Sequence, residues 1–330
     1  MFTTPVPRRA LLKGALAGAA AAALPLPSLA QPAFRPGHPV RLISPLLAGG
    51  ATDAIIRPVG ARLGELWGQP VVVENHAGGG TVIGTQLVVN AAPDGHTFGV
   101  AISALTINPS LRNDLPYDTF KDVTPITHIG NVSGALVAHP AFPANNVAEL
   151  IALAKQKPGS ISWASLGVGT GGHITGELLR KRAGIDIVHV PFNGSSAAYR
   201  DILPGRVPVG FVVLESALPH IRAGKLKLLA LSDRHRNKLH PQVPVIAETV
   251  PGVGFESVFG FIGPRGLPPE TARAMHADVV KVLSEPDVRK RLEDQSMDIV
   301  AGSPADFAAV IRREVDYWKV AVKESGANVN

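Results

Sequence analysis

The stretch Ser160-Ile-Ser-Trp-Ala-Ser165-Leu-Gly-Val-Gly-Thr170-Gly-Gly-His173-Ile-Thr-Gly-Glu-Leu-Leu179 admits few conformations. Its start alternates apolar and polar residues, the period of a half-buried strand. Its end places Ile174, Leu178 and Leu179 on one helical face. Between them lie glycines, which accept positive φ and let main chain approach a ligand closely. A helix that starts in such a loop offers unpaired N–H groups and the positive end of its dipole, a site suited to carboxylate or phosphate.

The same arrangement occurs earlier. Val40–Ser44 reads as a strand, Pro45–Thr52 as a glycine-containing loop, and Asp53–Trp67 as a helix with Ile55, Ile56, Val59, Leu63 and Leu66 on one face. Pro58 lies past the first turn and predicts a kink. Thr52 or Asp53 is a candidate cap. Two such loops facing one another would wrap a small anion in backbone amides with no catalytic residue required.

Strand and helix patterns alternate along most of the chain, pointing to parallel α/β sheets with ligands beyond the carboxyl ends of strands. Strands are expected at Val71–Glu74, Thr97–Ile102, Ile161–Ala164, Ile187–Val190, Val207–Val213 and Leu226–Leu231. The chain ends in helices Pro269–Ser284 and Asp287–Gln295, then a helix capped by Ser303-Pro304, whose Ile311, Val315, Trp318 and Val322 form a packing stripe. At 330 residues, two domains are expected.

Residues 1–30 read as a twin-arginine export signal. Arg8-Arg9-Ala-Leu-Leu-Lys13 precedes an apolar run too short to span a membrane, and Ser28-Leu29-Ala30 is a small-x-small cleavage site. A Sec leader with two arginines is the alternative. Either places the mature protein outside the cytoplasm, in the periplasm. These residues carry three of the chain's +6 formal charges. The remaining excess is mild and forms no basic stripe with aromatics, which argues against nucleic acid. The absence of cysteine excludes disulfides, thiolate catalysis and Cys-ligated zinc.

Enzyme motifs fare poorly. Gly167-x-Gly169-x-x-Gly172 fits the dinucleotide fingerprint and supports an alternative, an exported NAD(P)-dependent oxidoreductase. Yet the next strand ends in Pro191-Phe192-Asn193 and lacks the acid that grips a ribose hydroxyl. There is no Gly-x-Ser-x-Gly or Ser-x-x-Lys. The eleven histidines show no metal-binding spacing.

At the two loops the chain resembles the Bug family, periplasmic substrate-binding receptors of tripartite tricarboxylate transporters. Its landmarks include Gly49-Gly-Ala-Thr-Asp53, Gly68-Gln-Pro-Val-Val-Val-Glu-Asn75, Pro93-Asp-Gly95, Ile107-Asn-Pro109 and Leu115-Pro-Tyr-Asp118. Further on come Ala164-Ser165, Gly169-Thr170, His173, His189-Val-Pro191, Ala217-Leu-Pro-His220 and Ala223-Gly-Lys-Leu226. The resemblance covers essentially the whole mature chain. It implies an α/β fold of the type II periplasmic-binding-protein kind. Two α/β domains would be joined by a hinge of two crossover segments, near Ile126–Val132 and Pro251–Phe259, with a ligand cleft between them. Domain 1 would comprise residues 31–128 and 255–330, and domain 2 residues 129–254.

The resemblance further implies a monomeric, non-enzymatic receptor without cofactor or metal, which presents a small organic acid to membrane subunits of such a transporter. Carried over, the ligand contacts are Leu46, Leu47, Ala48, Gly49, Thr52 and Asp53 in the first loop, and Ser165, Gly167, Val168, Gly169, Thr170 and His173 in the second. Ser103, Asn193 and Val212 line the cleft at further strand ends. The chain departs from the family pattern at Pro45-Leu46-Leu47-Ala48, where members often have Pro-Phe-x-Pro, and at Val168, where many have Asn. It also has Phe211-Val212-Val213 in place of Phe-Asp-Asn, and lacks a tryptophan near Phe259. The far end of the ligand would therefore meet a more apolar pocket, and the lost acid at Val212 argues against an amino-acid ligand.

Overall fold

The computed structural model describes residues 34–192 and 194–327. The expected leader and Asn193 lie outside the described residues. The chain from Ala33 onward forms one compact unit containing a six-stranded and a five-stranded sheet.

The first sheet is built from β1 (Val40–Ser44), β2 (Val71–Asn75), β3 (Thr97–Ile102), β4 (Val123–Val132), β10 (Phe259–Pro264) and β11 (Met297–Gly302), in the order β11-β4-β10-β3-β1-β2. Alternate strand residues face opposite sides. Leu42, Phe98 and Phe261 therefore meet one helical layer, α1 (Ala51–Trp67), α8 (Pro269–Leu283) and α9 (Pro286–Asp294). Ile43, Ala101 and Ile262 meet the other, α2 (Val82–Val89), α3 (Ala104–Leu111) and the start of α10 (Pro304–Ser325). The helix α1 runs as one element through Pro58.

The second sheet holds β5 (Gly134–Ala138), β6 (Ser162–Ser165), β7 (Val188–Pro191), β8 (Val209–Val213) and β9 (Lys227–Leu231), in the order β7-β6-β8-β5-β9. Leu136, Trp163 and Phe211 pack under α4 (Val147–Gln156) and α5 (Gly171–Ala183), with Trp318, Ala321 and Val322 from the far half of α10. Ala135, Val137, Ala164 and Val212 face α6 (Ser195–Ile202) and α7 (Leu214–Arg222). The long C-terminal helix thus contributes to the cores of both sheets.

The sheets are mixed, not parallel as the strand–helix alternation suggests. β10 is antiparallel to β3 and β4, β11 to β4, and β5 to β8 and β9. Of the reversed strands β5, β10 and β11, the first two are those that follow a passage between sheets, and β11 is reached from β10 through α8 and α9. A chain entering a sheet from its neighbour starts at the end where the βαβ strands finish, so it runs the other way. The first passage is one residue long: β4 ends at Val132 and β5 begins at Gly134, leaving Ser133. The second lies between Leu231 and Phe259. There, Asp233 bridges Phe255, and Ser232 N–H donates to the carbonyl of Gly134 at 2.8 Å.

Candidate functional site

Strand register places the two loops. In the first sheet Ser44 pairs with Asn75, Ile43 with Gly99, and Ile102 with Phe259, which also pairs with Gly130. The carboxyl ends of β1, β2 and β3 therefore lie at the edge from which β4 departs and to which β10 returns. In the second sheet Ser165 pairs with Pro191 and Gly134 with Val213. The carboxyl ends of β6, β7 and β8 lie at the edge where β5 begins. Each loop thus opens at the edge of its sheet that adjoins the passages between the sheets.

The loops are constructed alike. Gly49 has φ 81° and Gly169 has φ 79°, the left-handed region that side-chain-bearing residues avoid. Each donates its N–H to a side chain four residues on, in the first turn of the following helix. Gly49 reaches Asp53 Oδ2 at 2.9 Å, and Gly169 reaches His173 Nδ1 at 3.1 Å. The amides of these two glycines are therefore engaged within their loops.

Asp53 also accepts from Asn75 Nδ2 at 2.9 Å and Arg57 Nε at 3.0 Å, while Asn75 donates to the Leu46 carbonyl at 3.0 Å. Burial would raise its pKa, but the bonds from Asn75, Gly49 and Arg57 prevail and lower it, so the carboxylate stays ionised. In the second loop Thr170 Oγ1 donates to the Gly167 carbonyl at 2.7 Å and caps His173 N–H at 3.3 Å. The Ser165 hydroxyl bonds the Gly167 backbone and His189 Nε2, the latter at 2.7 Å.

The polar side chains that the sequence nominates as ligand contacts (Asp53, Ser165, Thr170 and His173) thus shape the loops. What they leave open is main chain. The helix α1 has no side-chain cap, so the amides of Ala51, Thr52 and Asp53 lack an acceptor within the helix. In α5 the same holds for Gly171 and Gly172, since Thr170 caps only His173.

The loop tips are apolar. Leu47 is 78% exposed and Val168 49% exposed. Leu46 is half-buried, and Ala48 and Gly49 are exposed. Ser103 accepts the Val258 N–H at 3.2 Å, tying the end of β3 to the returning passage. Val212, expected at the cleft, is buried in the layer under α6 and α7. A strand residue one position from the edge takes the face that its parity dictates.

Beneath the second loop His173 and His189 stack at 4.4 Å, and Trp163 stacks on His189 at 4.3 Å. Burial lowers the pKa of His173 against the opposing charge of Glu177. Burial and the neighbouring His173 bring His189 down to about 4, so both rings are neutral near pH 7. With Glu177 they hold ligand-type atoms within 4.8 Å of one another. These atoms are already committed, however: His173 Nδ1, His189 Nε2 and Glu177 are bonded to Gly169, Ser165 and Arg180. This group is scaffolding for the loop.

The glycines of the dinucleotide-like pattern have local reasons. A Cβ on Gly172 would lie 3.0 Å from Phe211 Cβ, and Gly167 and Gly169 have positive φ. Sequence reasoning missed Asn75, His189 and Glu177 as loop supports. The first and second lie inside stretches that resemble the family, but neither spacing nor residue type marks a support that acts from another strand.

Comparison with known proteins agrees with this architecture. Residues 55–327 match the model of the tripartite tricarboxylate transporter family receptor. Protein BugT of Bordetella pertussis is 32% identical over 297 residues, covering 89% of this chain and 91% of that protein. A solved periplasmic transporter superposes with a TM-score of 0.79 at 34% identity, covering 90% of this chain and all of that one. Rpa4515 of R. palustris, solved with adipate, gives 0.79 at 30% identity, over 89% and 99% of the two chains. MatC of Rhodopseudomonas palustris, with bound malate, gives 0.75 at 28%, over 87% and 99%. The extent of the family match and the two-sheet fold together place the chain in the Bug family, the periplasmic solute-binding receptors of the tripartite tricarboxylate transporter type.

Proposed function

We propose that the protein binds a small organic carboxylate between its two sheets and presents it to membrane subunits of a tripartite tricarboxylate-type transporter. The observation that carries this is the pair of like-built loops at the sheet edges next to the passages, each followed by a helix with unpaired amides. Relatives solved with adipate and malate support the ligand class. The contacts are main chain and tips of 46–53 and 165–173, with Ser103 and Asn193 at neighbouring strand ends. One lobe is built on the first sheet, through β4 to Val132, and the other on the second from β5 onward, α10 clasping both. Closure is a hinge motion about the two passages. The leader at 1–30 exports the chain to the periplasm by the twin-arginine route. Among the described residues no helix is long and apolar enough to cross a membrane.

The test is a thermal-shift screen of mono-, di- and tricarboxylates on the mature chain. At least one acid is expected to raise Tm, and Gly169→Val is expected to abolish that rise. A β-branched residue at φ 79° is strained by about 1–3 kcal/mol, so the loop changes shape while the fold survives. A screen with no stabilising acid, or unchanged affinity in Gly169→Val, would remove this loop from the site.

A further inference from the structure

The chemistry of the strand ends narrows the ligand, on the reading given under Proposed function. Residues 44–53, 102–105, 165–173, 191–195 and 213–216 contain no lysine or arginine. Three arginines near these segments are engaged elsewhere: Arg41 binds Glu74, Arg57 binds Asp53 and Asn75, and Arg234 of the returning passage binds Glu314 at 2.5 Å. The histidine of the second loop is neutral and bonded to Gly169. These segments hold two acids. Asp53 is saturated by three donors, and Glu215 lies towards Tyr199 on α6, its carboxyl pushed up by burial.

The donors left are amides at two helix starts, which suit one carboxylate. A second carboxylate would lose water on closure with no lysine or arginine of these segments to meet it, and a ligand ammonium would meet only Glu215, whose charged form burial disfavours. What the loops do present is aliphatic surface, Leu47 and Val168, one on each tip. Side chains this exposed gain by covering apolar area when the sheets approach.

We infer that the ligand is a monocarboxylate with an aliphatic body, its charge held by the helix-start amides and its body covered by Leu47 and Val168. The departures from the family pattern at these two positions then set specificity.

Isothermal titration calorimetry on the mature chain with chain-matched acids tests this. The sets are hexanoate, adipate and 6-aminohexanoate, and octanoate, suberate and 8-aminooctanoate. The plain acid is expected to bind roughly tenfold or more tightly than its diacid and its amino acid. A diacid or amino acid that binds equally or more tightly overturns the inference and leaves the receptor reading standing. Binding by no acid of any kind overturns both. Leu47→Ser and Val168→Asn separate contact from folding. Each is expected to weaken the better plain acid by about threefold to tenfold with Tm of the free protein unchanged. Undiminished affinity in both variants overturns the assignment of the tips.

Discussion

Gly176 sits on α5 where a Cβ would come within 2.4 Å of the Trp163 ring. Trp163 is fully buried and stacks on His189, so it has no room to retreat. Alanine is favoured over glycine in a helix by about 1 kcal/mol, yet overpacking costs about 1–3 kcal/mol. Gly176→Ala is therefore expected to lower stability, with a reduced urea midpoint; an unchanged or raised midpoint would show that the ring yields. The site was legible at this scale as main chain and opaque as side chain. The positive-φ glycines follow from glycine spacing, whereas the expected cap at Thr52 or Asp53 does not form: α1 begins at Ala51 with Gly50 as its N-cap. The roles of Asp53, Ser165, Thr170 and His173 do not follow from that spacing, because a residue that props a loop and one that grips a ligand call for the same oxygen or nitrogen at the same helix start. Only the identity of the bonded partner separates them, and that partner, Asn75 or His189, comes from another strand.

The element that joins the two cores is α10. Phe307, Val310 and Ile311 belong to the first sheet's core, and Trp318, Ala321 and Val322 to the second's. Between them Glu314 is fully buried, with Oε1 on Arg234 of the returning passage, and Tyr317 accepts the Gly254 N–H at 3.4 Å. Burial pushes the Glu314 carboxyl up to about 7, with Arg234 opposing. Removing one partner of a buried pair costs about 3–5 kcal/mol when the other cannot reach water. Arg234 is partly exposed, so Glu314→Ala is expected at the lower edge of that range, and Glu314→Gln, which keeps an acceptor, at under about 1 kcal/mol. Denaturant midpoints of the two variants check this; equal losses would assign the effect to packing. The apolar stripe of this helix was readable from its 3.6-residue period, but the same stripe serves one core or two. The strands β4, β5, β10 and β11 went unread, and with them the mixed sheets, because strand direction is fixed by where the chain has come from and not by local pattern.

Over the whole molecule, Asp233 marks the place where the two passages touch. Burial raises its carboxyl to about 7, which the Ser133 hydroxyl counters and Asp298 on β11 reinforces. The ordinary value is 3.8. As pH rises between these values the unfolded chain gives up a proton that the folded chain keeps, so stability from this group falls and then levels above about 7. Asp233→Asn removes that penalty. Its Tm relative to the parent is expected to climb from pH 4 to pH 7 and then stay flat, in calorimetry across that range. A difference independent of pH would place the buried proton elsewhere.

Ser133 alone separates the last residue of one sheet from the first of the other. A link this short has two soft torsions and no slack. In the proposed closure it acts as an axle: the slabs on either side swing about this point, with too little chain between them there to slide apart.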